Sequence, residues 1–101
     1  MSDFFEIKSL RDTENKVSET SQKKRTSDYM TKYEYARLIA SRAVEIENGF
    51  VPKISADGIY NPYTIATMEL HARVIPLVII RTLEDGSRET WSIKDMHIRD
   101  Y

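Results

Sequence analysis

YMTKYEYARLIASRA, at residues 29–43, is one of two stretches that decide the fold of this chain, and NPYTIATMELHARVIPLVIIR, at residues 61–81, is the other. The first stretch has the pattern of a capped amphipathic helix, and the second has that of a shorter helix followed by a strand. We therefore predict an α+β fold in which two helices precede a C-terminal β-hairpin.

The first helix is predicted to begin at Thr31. Thr31 and Glu34 have the spacing of a capping box, in which each side chain accepts a hydrogen bond from a backbone N–H at the start of the helix. Asn48-Gly49 supplies the residues that commonly end a helix. Successive residues lie about 100° apart around a helix, which places seven apolar side chains on one broad face: Tyr35, Ala36, Leu38, Ile39, Ala40, Ala43 and Ile46.

Arg42 interrupts this apolar face, because it projects between Leu38, Ile39 and Ile46. One interpretation is that its methylene stem covers the core while its guanidinium reaches water. The other is that the guanidinium holds a carboxylate or backbone carbonyls of another chain. The residues alone leave both interpretations open.

The second helix is predicted to start at Asn61-Pro62, with Asn as the cap and Pro in the first turn, and to run to about Arg73. Glu69 and Arg73 are four residues apart, in the orientation that favours an ion pair on one helix face. The apolar residues of this helix fall on two arcs. A helix that is apolar on two sides must be covered on two sides, which a small domain cannot easily do without a partner.

A hairpin is predicted after the second helix. Val74–Arg81 is rich in β-branched residues and reads as a strand, and Thr90–Ile93 reads as a second strand with Trp91 on its buried face. Glu84-Asp85-Gly86 between them is a turn signal. Residues 50–60 are predicted to form the loop between the helices.

Residues 1–28 are predicted to form a flexible, mixed-charge N-terminal tail before a domain at residues 29–101. Lys23-Lys24-Arg25 within this tail is either a solvated charge run or a localisation or anion-binding patch. A folded part of this size buries little surface and usually depends on disulfides, a metal or a partner. A partner is the leading expectation, because the chain contains no Cys and only two His residues.

Composition disfavours several classes of function. The chain carries 15 Lys and Arg against 16 Asp and Glu residues, whereas proteins that grip nucleic-acid phosphates normally have a basic excess. It has no Gly-rich phosphate loop, metal-binding helix motif or Cys nucleophile, so we expect no catalysis, cofactor or metal. It also lacks a membrane-spanning apolar run and a signal-peptide core, so we expect an intracellular protein without membrane contact.

Four separated segments, in the same order along the chain, carry a resemblance to a known family. They are Tyr29–Glu34 with the Ala36-Arg37 and Arg42-Ala43 pairs; Asn61-Pro62; the positions from Ile65-Ala66 through Glu69-Leu70, Ala72-Arg73 and Ile75-Pro76 to Arg81; and Leu83, Asp85–Ser87, Trp91 and Lys94-Asp95. They resemble the omega subunit family of multisubunit DNA-dependent RNA polymerases, in the form shared by the three eukaryotic nuclear polymerases.

The resemblance implies a non-catalytic assembly subunit for transcription, which stabilises and seats the largest polymerase subunit by holding segments near its C-terminus. It implies ten partner-binding residues: Thr31, Lys32, Tyr33, Glu34, Arg37, Arg42, Glu69, Arg73, Arg81 and Trp91. The competing hypothesis is a free-standing nucleic-acid-binding regulator, and the third is a small enzyme.

Three departures from the family pattern bear on origin and contacts. Nuclear members carry a long, acidic N-terminal tail, whereas the tail here is short and charge-balanced. This difference points to a virus with a large DNA genome as the source. We expect the nucleus if the chain is cellular and eukaryotic, and the host cytoplasm or the virion if it is viral. Asn61 replaces the family's Asp, and the loop at residues 50–60 departs from the pattern.

Overall fold

The computed structural model describes residues 4–13 and 24–99 as an α+β fold. Its elements, in chain order, are β1 (Phe5–Ser9), a 3-10 turn (Leu10–Thr13), α1 (Lys32–Glu47), α2 (Pro62–His71), β2 (Leu77–Thr82), β3 (Arg88–Ser92) and a second 3-10 turn (Ile93–Asp95). The predicted α+β class, with two helices followed by a hairpin, is confirmed.

The helix α1 begins and ends where its caps predicted. The Thr31 hydroxyl accepts from the Glu34 N–H at 3.1 Å, and the Glu34 carboxylate accepts from the Thr31 N–H at 3.0 Å. At the other end Asn48 is the C-cap, and Gly49 adopts a left-handed φ of 102° that a side chain would disfavour. Local sequence therefore fixes both ends of this helix.

The helix α2 starts at its predicted cap but ends two residues before the predicted Arg73. The Asn61 side chain accepts from the Tyr63 N–H at 2.9 Å, and Pro62 occupies the first turn. Arg73 adopts a left-handed φ of 64°, which costs a non-Gly residue about 1–2 kcal/mol. Its guanidinium donates to the carbonyl oxygens of Ile93 and Met96, and these bonds offset the strain.

The sheet is antiparallel, in the order β1-β2-β3, so that β2 is its central strand. The predicted strand at Val74–Arg81 begins later, at Leu77, and the predicted strand at Thr90–Ile93 begins earlier, at Arg88. Gly86 takes the left-handed position of the turn, with φ 88°. The hairpin is therefore correct, with shifted strand ends.

The strand β1 lies inside the segment that the sequence analysis assigned to a flexible tail. Ile7 pairs with Ile79 of β2, which pairs in turn with Trp91 of β3, so that one row of apolar side chains crosses the sheet. Glu6 of β1 also forms an ion pair with Arg88 of β3. Residues 5–9 are therefore part of the sheet, whereas residues 1–3 and 14–23 of the predicted tail lie outside the described residues.

The core lies where both helices meet one face of the sheet. Leu38 of α1 and Leu70 of α2 are fully buried. The buried core cluster comprises Met30, Leu38, Leu70, Ile75, Leu77, Ile79, Trp91, Ile93 and Met96. Of the alanines predicted on the apolar face of α1, Ala43 is buried and Ala36 is exposed.

The pairing of β1 leads to a prediction about stability. Ile7 packs against the core cluster, so we expect Ile7→Ser to lower the free energy of unfolding by about 1–2 kcal/mol. Lys8→Ser is the matched control, because the neighbouring Lys8 is exposed and should change stability by less than about 0.5 kcal/mol. Urea denaturation of both variants is the measurement, and equal midpoints would show that β1 contributes nothing to the fold.

Candidate functional site

The guanidinium of Arg42 is buried between the two helices, with an exposed fraction of 1%. Its Nε and Nη2 donate to the two carboxylate oxygens of Glu69 in α2, at 2.6 and 3.1 Å. Its Nη1 donates to Glu45 at 2.8 Å, and Nη2 also donates to the carbonyl oxygen of Val51 at 3.1 Å. One side chain therefore joins α1, α2 and the loop between them.

The carboxylate of Glu69 is completely buried, so it needs compensating donors. Besides Arg42, the backbone N–H of Lys53 donates to it at 2.8 Å. Burial alone lowers the pKa of Arg42, but its hydrogen bonds with Glu69 and Glu45 and their negative charges raise that pKa overall. The polar groups of both side chains therefore have hydrogen-bond partners within the chain.

Neither interpretation of Arg42 from the sequence describes this geometry. Its guanidinium does not reach water, since it is buried, and its carboxylate partner belongs to the same chain. The predicted ion pair between Glu69 and Arg73 is also wrong, because Glu69 binds Arg42 and Arg73 binds backbone carbonyls. The ion pair between Arg42 and Glu69, which are 27 positions apart, thus takes the place of the predicted pair between Glu69 and Arg73.

Arg81, at the end of β2, forms the second buried arginine–carboxylate pair. Its Nε and Nη2 donate to the Glu34 carboxylate at 2.7 and 2.9 Å. The remaining N–H groups donate to the Thr26 hydroxyl and to the carbonyl oxygens of Ser27 and Tyr29. Arg81 therefore fixes the start of α1 and the segment before it against the sheet.

The Thr26 hydroxyl connects this segment to the hairpin. It accepts from Arg81 Nη1 at 3.0 Å and from Trp91 Nε1 at 2.9 Å, and it donates to the Glu89 carboxylate at 2.5 Å. The backbone N–H groups of Arg25 and Thr26 also donate to Glu89. Residues 24–28 thus form a strap across β3, which we call the N-terminal strap.

The ten residues implied by the resemblance fall into two groups. Thr31, Lys32, Tyr33 and Arg37 are exposed on α1, and Tyr33 is 60% exposed. The other six are buried or half-buried and have partners inside the chain: Glu34, Arg42, Glu69, Arg73, Arg81 and Trp91. Sequence reasoning missed Thr26 and Glu89. No local pattern indicates their hydrogen bond, because the two residues are 63 positions apart in the chain.

The exposed side of α1 carries several apolar side chains beside the charged Arg37 and Glu47. Tyr33, Ala36, Arg37, Ala40 and Val44 lie within about 100° of one another around the helix, opposite the buried Leu38 and Arg42. We call these five residues the outer face of α1. Val44 is 52% exposed, Ala36 and Arg37 are exposed, and Ala40 is half-buried.

Some kinds of site have no counterpart in the described residues. Within residues 4–13 and 24–99, no group of His, Cys, Asp or Glu side chains could hold a metal ion. No helix in that part of the chain is long and apolar enough to span a bilayer. The same residues include no buried side-chain nitrogen or oxygen atom without a hydrogen-bond partner.

The fold and the site thus define a small α+β domain organised by two buried arginine–carboxylate pairs. The family model described as RNA polymerase Rpb6 matches residues 24–77, which is more than half of the chain. The chain belongs to the RNA polymerase Rpb6 family. The omega-like family predicted from the sequence is confirmed.

Similar proteins carry matching descriptions. A Dictyostelium discoideum relative, 43% identical over 75 residues, is described as a subunit of DNA-directed RNA polymerases I, II, and III; the match covers 74% of this chain and 56% of the relative. A Saccharomyces cerevisiae relative with that description is 44% identical over 71 residues, 70% of this chain and 46% of the relative. An Arabidopsis thaliana relative, subunit 6B of polymerases II and V, is 40% identical over 91 residues, 88% of this chain and 63% of the relative.

The extent and the sources of these matches limit which properties of the relatives can be proposed for this chain. The chain spans about half the length of the relatives that it matches, from 46% to 63% in the three cases above. All three come from cellular eukaryotes, so they do not support the viral origin inferred from the charge-balanced tail.

The buried Arg42 predicts a large effect on folding. Arg42→Met should lower the free energy of unfolding by about 3 kcal/mol or more, because Glu69 remains buried without its cation. Arg37→Met, on the exposed side of the same helix, is the control and should stay within about 0.5 kcal/mol. Chemical denaturation of the isolated chain measures both.

A double variant separates the charge from the packing. Arg42→Met combined with Glu69→Leu should recover much of the lost stability, because no buried charge is left unpaired. If Arg42→Met alone melted like Arg37→Met, Arg42 would not be holding the helices together.

The N-terminal strap predicts a response to acid. Partial burial raises the pKa of Glu89, but hydrogen bonds from the Thr26 hydroxyl and from two backbone N–H groups outweigh it and lower that pKa below 4.5. A lowered folded-state pKa means that Glu89 stabilises the fold above the unfolded-state pKa, and that this stability is lost as the pH falls through the folded-state pKa. Trp91, the one Trp of the chain, shares Thr26 with Glu89 and reports this change by fluorescence.

We therefore expect a change in Trp91 emission in the parent chain as the pH falls through the lowered pKa of Glu89. Glu89→Gln should reduce this change, whereas Glu84→Gln, at an exposed carboxylate of the turn, should retain it. An unaltered acid transition in Glu89→Gln would disprove the link between Glu89 and the strap.

Proposed function

We propose that this chain is a non-catalytic subunit of a multisubunit DNA-directed RNA polymerase, and that it stabilises and seats the largest subunit during assembly. Membership of the RNA polymerase Rpb6 family supports the proposal, as do relatives described as subunits shared by several polymerases. The partner segments are those near the C-terminus of the largest subunit, as the family resemblance implies.

The observation that carries the proposal is the exposed apolar surface of α1. Interface cores are enriched in aromatic residues and Arg and depleted in other charged residues. The outer face of α1 shares the aromatic residue and the Arg of this composition, in Tyr33 and Arg37, which lie beside Val44 and two alanines. Small alanine side chains allow the backbone of a partner to come close to the helix.

We divide the proposed partner-binding residues by their exposure to solvent. Thr31, Lys32, Tyr33 and Arg37 are exposed and can reach a partner directly. The other six contribute by holding α1 and the hairpin in position, because their polar groups bind atoms of this chain. They are the half-buried Arg73 and the buried Glu34, Arg42, Glu69, Arg81 and Trp91. We propose the exposed group as the contact residues.

The alternative function, a free-standing nucleic-acid-binding regulator, gains no support from the geometry. Arg25, Arg42, Arg81 and Arg88 are all paired with carboxylates of the same chain. With 15 Lys and Arg against 16 Asp and Glu residues, the chain also has no net positive charge to attract a phosphate backbone. As part of a cellular polymerase the chain would act in the nucleus, and as a viral subunit it would act in the host cytoplasm or the virion.

Two Val→Glu variants test whether the outer face of α1 is the interface, one with the substitution on that face and one with it elsewhere. Val44→Glu should weaken co-purification with the largest polymerase subunit by at least about tenfold in affinity, because it places a carboxylate in the proposed interface. Val74→Glu is the matched control, since Val74 is 41% exposed but lies outside α1. Both variants should melt like the parent chain.

The outcomes distinguish the parts of the proposal. If both variants bind like the parent, the outer face of α1 is not the interface. If the parent chain itself does not co-purify with the polymerase from its native source, the assignment as a subunit is wrong.

A further inference from the structure

The basic residues before α1 have no role in the proposed interface. Lys24 and Arg25 stand three and two positions before Ser27. Residues 24–28 form neither helix nor strand, and Ser27 is exposed. A hydroxyl that follows closely spaced basic residues, in an irregular and exposed segment, has the form in which protein kinases with acidic specificity pockets accept a substrate.

The two neighbouring hydroxyls of this segment differ in access. The Thr26 hydroxyl is enclosed by Arg81, Trp91 and Glu89, and its one proton is donated to Glu89. The Ser27 hydroxyl lies on the exposed side and accepts from the Tyr29 N–H at 3.1 Å. Arg81 contacts Ser27 through the carbonyl oxygen and not through the hydroxyl.

We propose that Ser27 is a phosphorylation site for a protein kinase that recognises Lys24 and Arg25. The Ser27 Oγ attacks the γ-phosphorus of ATP, and a new O–P bond forms. The bond from the γ-phosphorus to the bridging oxygen breaks, and ADP leaves with its electron pair. The hydroxyl proton passes to the catalytic carboxylate of the kinase.

Recognition requires the side chains of Lys24 and Arg25 to leave the hairpin, while Thr26 stays bound to Arg81, Trp91 and Glu89. Arg25 Nη2 donates to Asp85 at 2.9 Å and to Ser87 at 2.7 Å, and the Lys24 ammonium lies 5.0 Å from the Trp91 ring centroid. These contacts are at the surface, where ion pairs contribute little to stability. Release of these two side chains requires much less free energy than global unfolding, and the rate of phosphorylation follows the released population.

Modification at Ser27 is compatible with the fold, whereas modification at Thr26 is not. A phosphate on Ser27 leaves the carbonyl oxygen that binds Arg81 in place. A phosphate on Thr26 would set a dianion against the Glu89 carboxylate and remove the proton that now joins them. The geometry therefore selects Ser27 of the two.

The experiment treats the full chain with ATP and the catalytic subunit of cyclic-AMP-dependent protein kinase, which reads basic residues at these two positions. Mass spectrometry maps the phosphate, and a peptide spanning residues 22–32 verifies that the kinase is active. We expect incorporation at Ser27, its loss in Ser27→Ala, and no phosphate on Thr26. Asp85→Asn should raise the initial rate by about threefold or more, because it loosens the hold of the hairpin on the Arg25 guanidinium.

Three results would overturn the proposal. They are a phosphorylated peptide beside an unmodified full chain, phosphate on Thr26 in the folded chain, and undiminished incorporation at the strap in Ser27→Ala. The experiment measures a covalent product and needs no polymerase. Its result therefore tests the phosphorylation site independently of the proposed subunit function.

Discussion

The buried ion pair between Arg42 and Glu69 is the constraint on which the rest of the fold depends. A guanidinium and a carboxylate removed from water are tolerated only if nearly all their donors and acceptors are satisfied together. Here the complete set exists only when α1, α2 and the backbone at Val51 and Lys53 take their observed positions. The pair therefore specifies one arrangement of helices that apolar contacts alone would define less sharply.

Arg81 plays the corresponding role at the other end of α1. Glu34 serves twice, because its carboxylate caps the helix through the Thr31 N–H and also receives two N–H groups of Arg81. The central strand is thereby tied to the first turn of α1 and, through Thr26, to the third strand. A domain with a small core gains rigidity from such networks only when each member is satisfied, as the described buried side chains are.

The sequence predicted the features that local chemistry determines and missed those that distant residues determine. The capping box at Thr31, the Asn61 cap and the turn at Gly86 need only neighbours, and all were predicted correctly. The strand β1 was missed because its few apolar residues sit among charges and pair with residues some 70 positions later. Glu69 was assigned to Arg73 by helical spacing, whereas the fold brings Arg42 to it, and no local rule reports a contact of that separation.

The charged residues that hold the fold together are different residues from those that the proposed interface leaves exposed for binding. A resemblance-based list treats every matching polar residue as a contact candidate, yet Arg42, Glu69, Glu34 and Arg81 are already satisfied inside the chain. A partner could recruit them only by breaking buried pairs, which costs several kcal/mol. In the proposed interface, binding free energy would then come from side chains whose surfaces are still in water, and the outer face of α1 offers some of that apolar surface opposite the core. The motif that identifies the family thus has an inner half that builds the scaffold and an outer half that remains available to another protein.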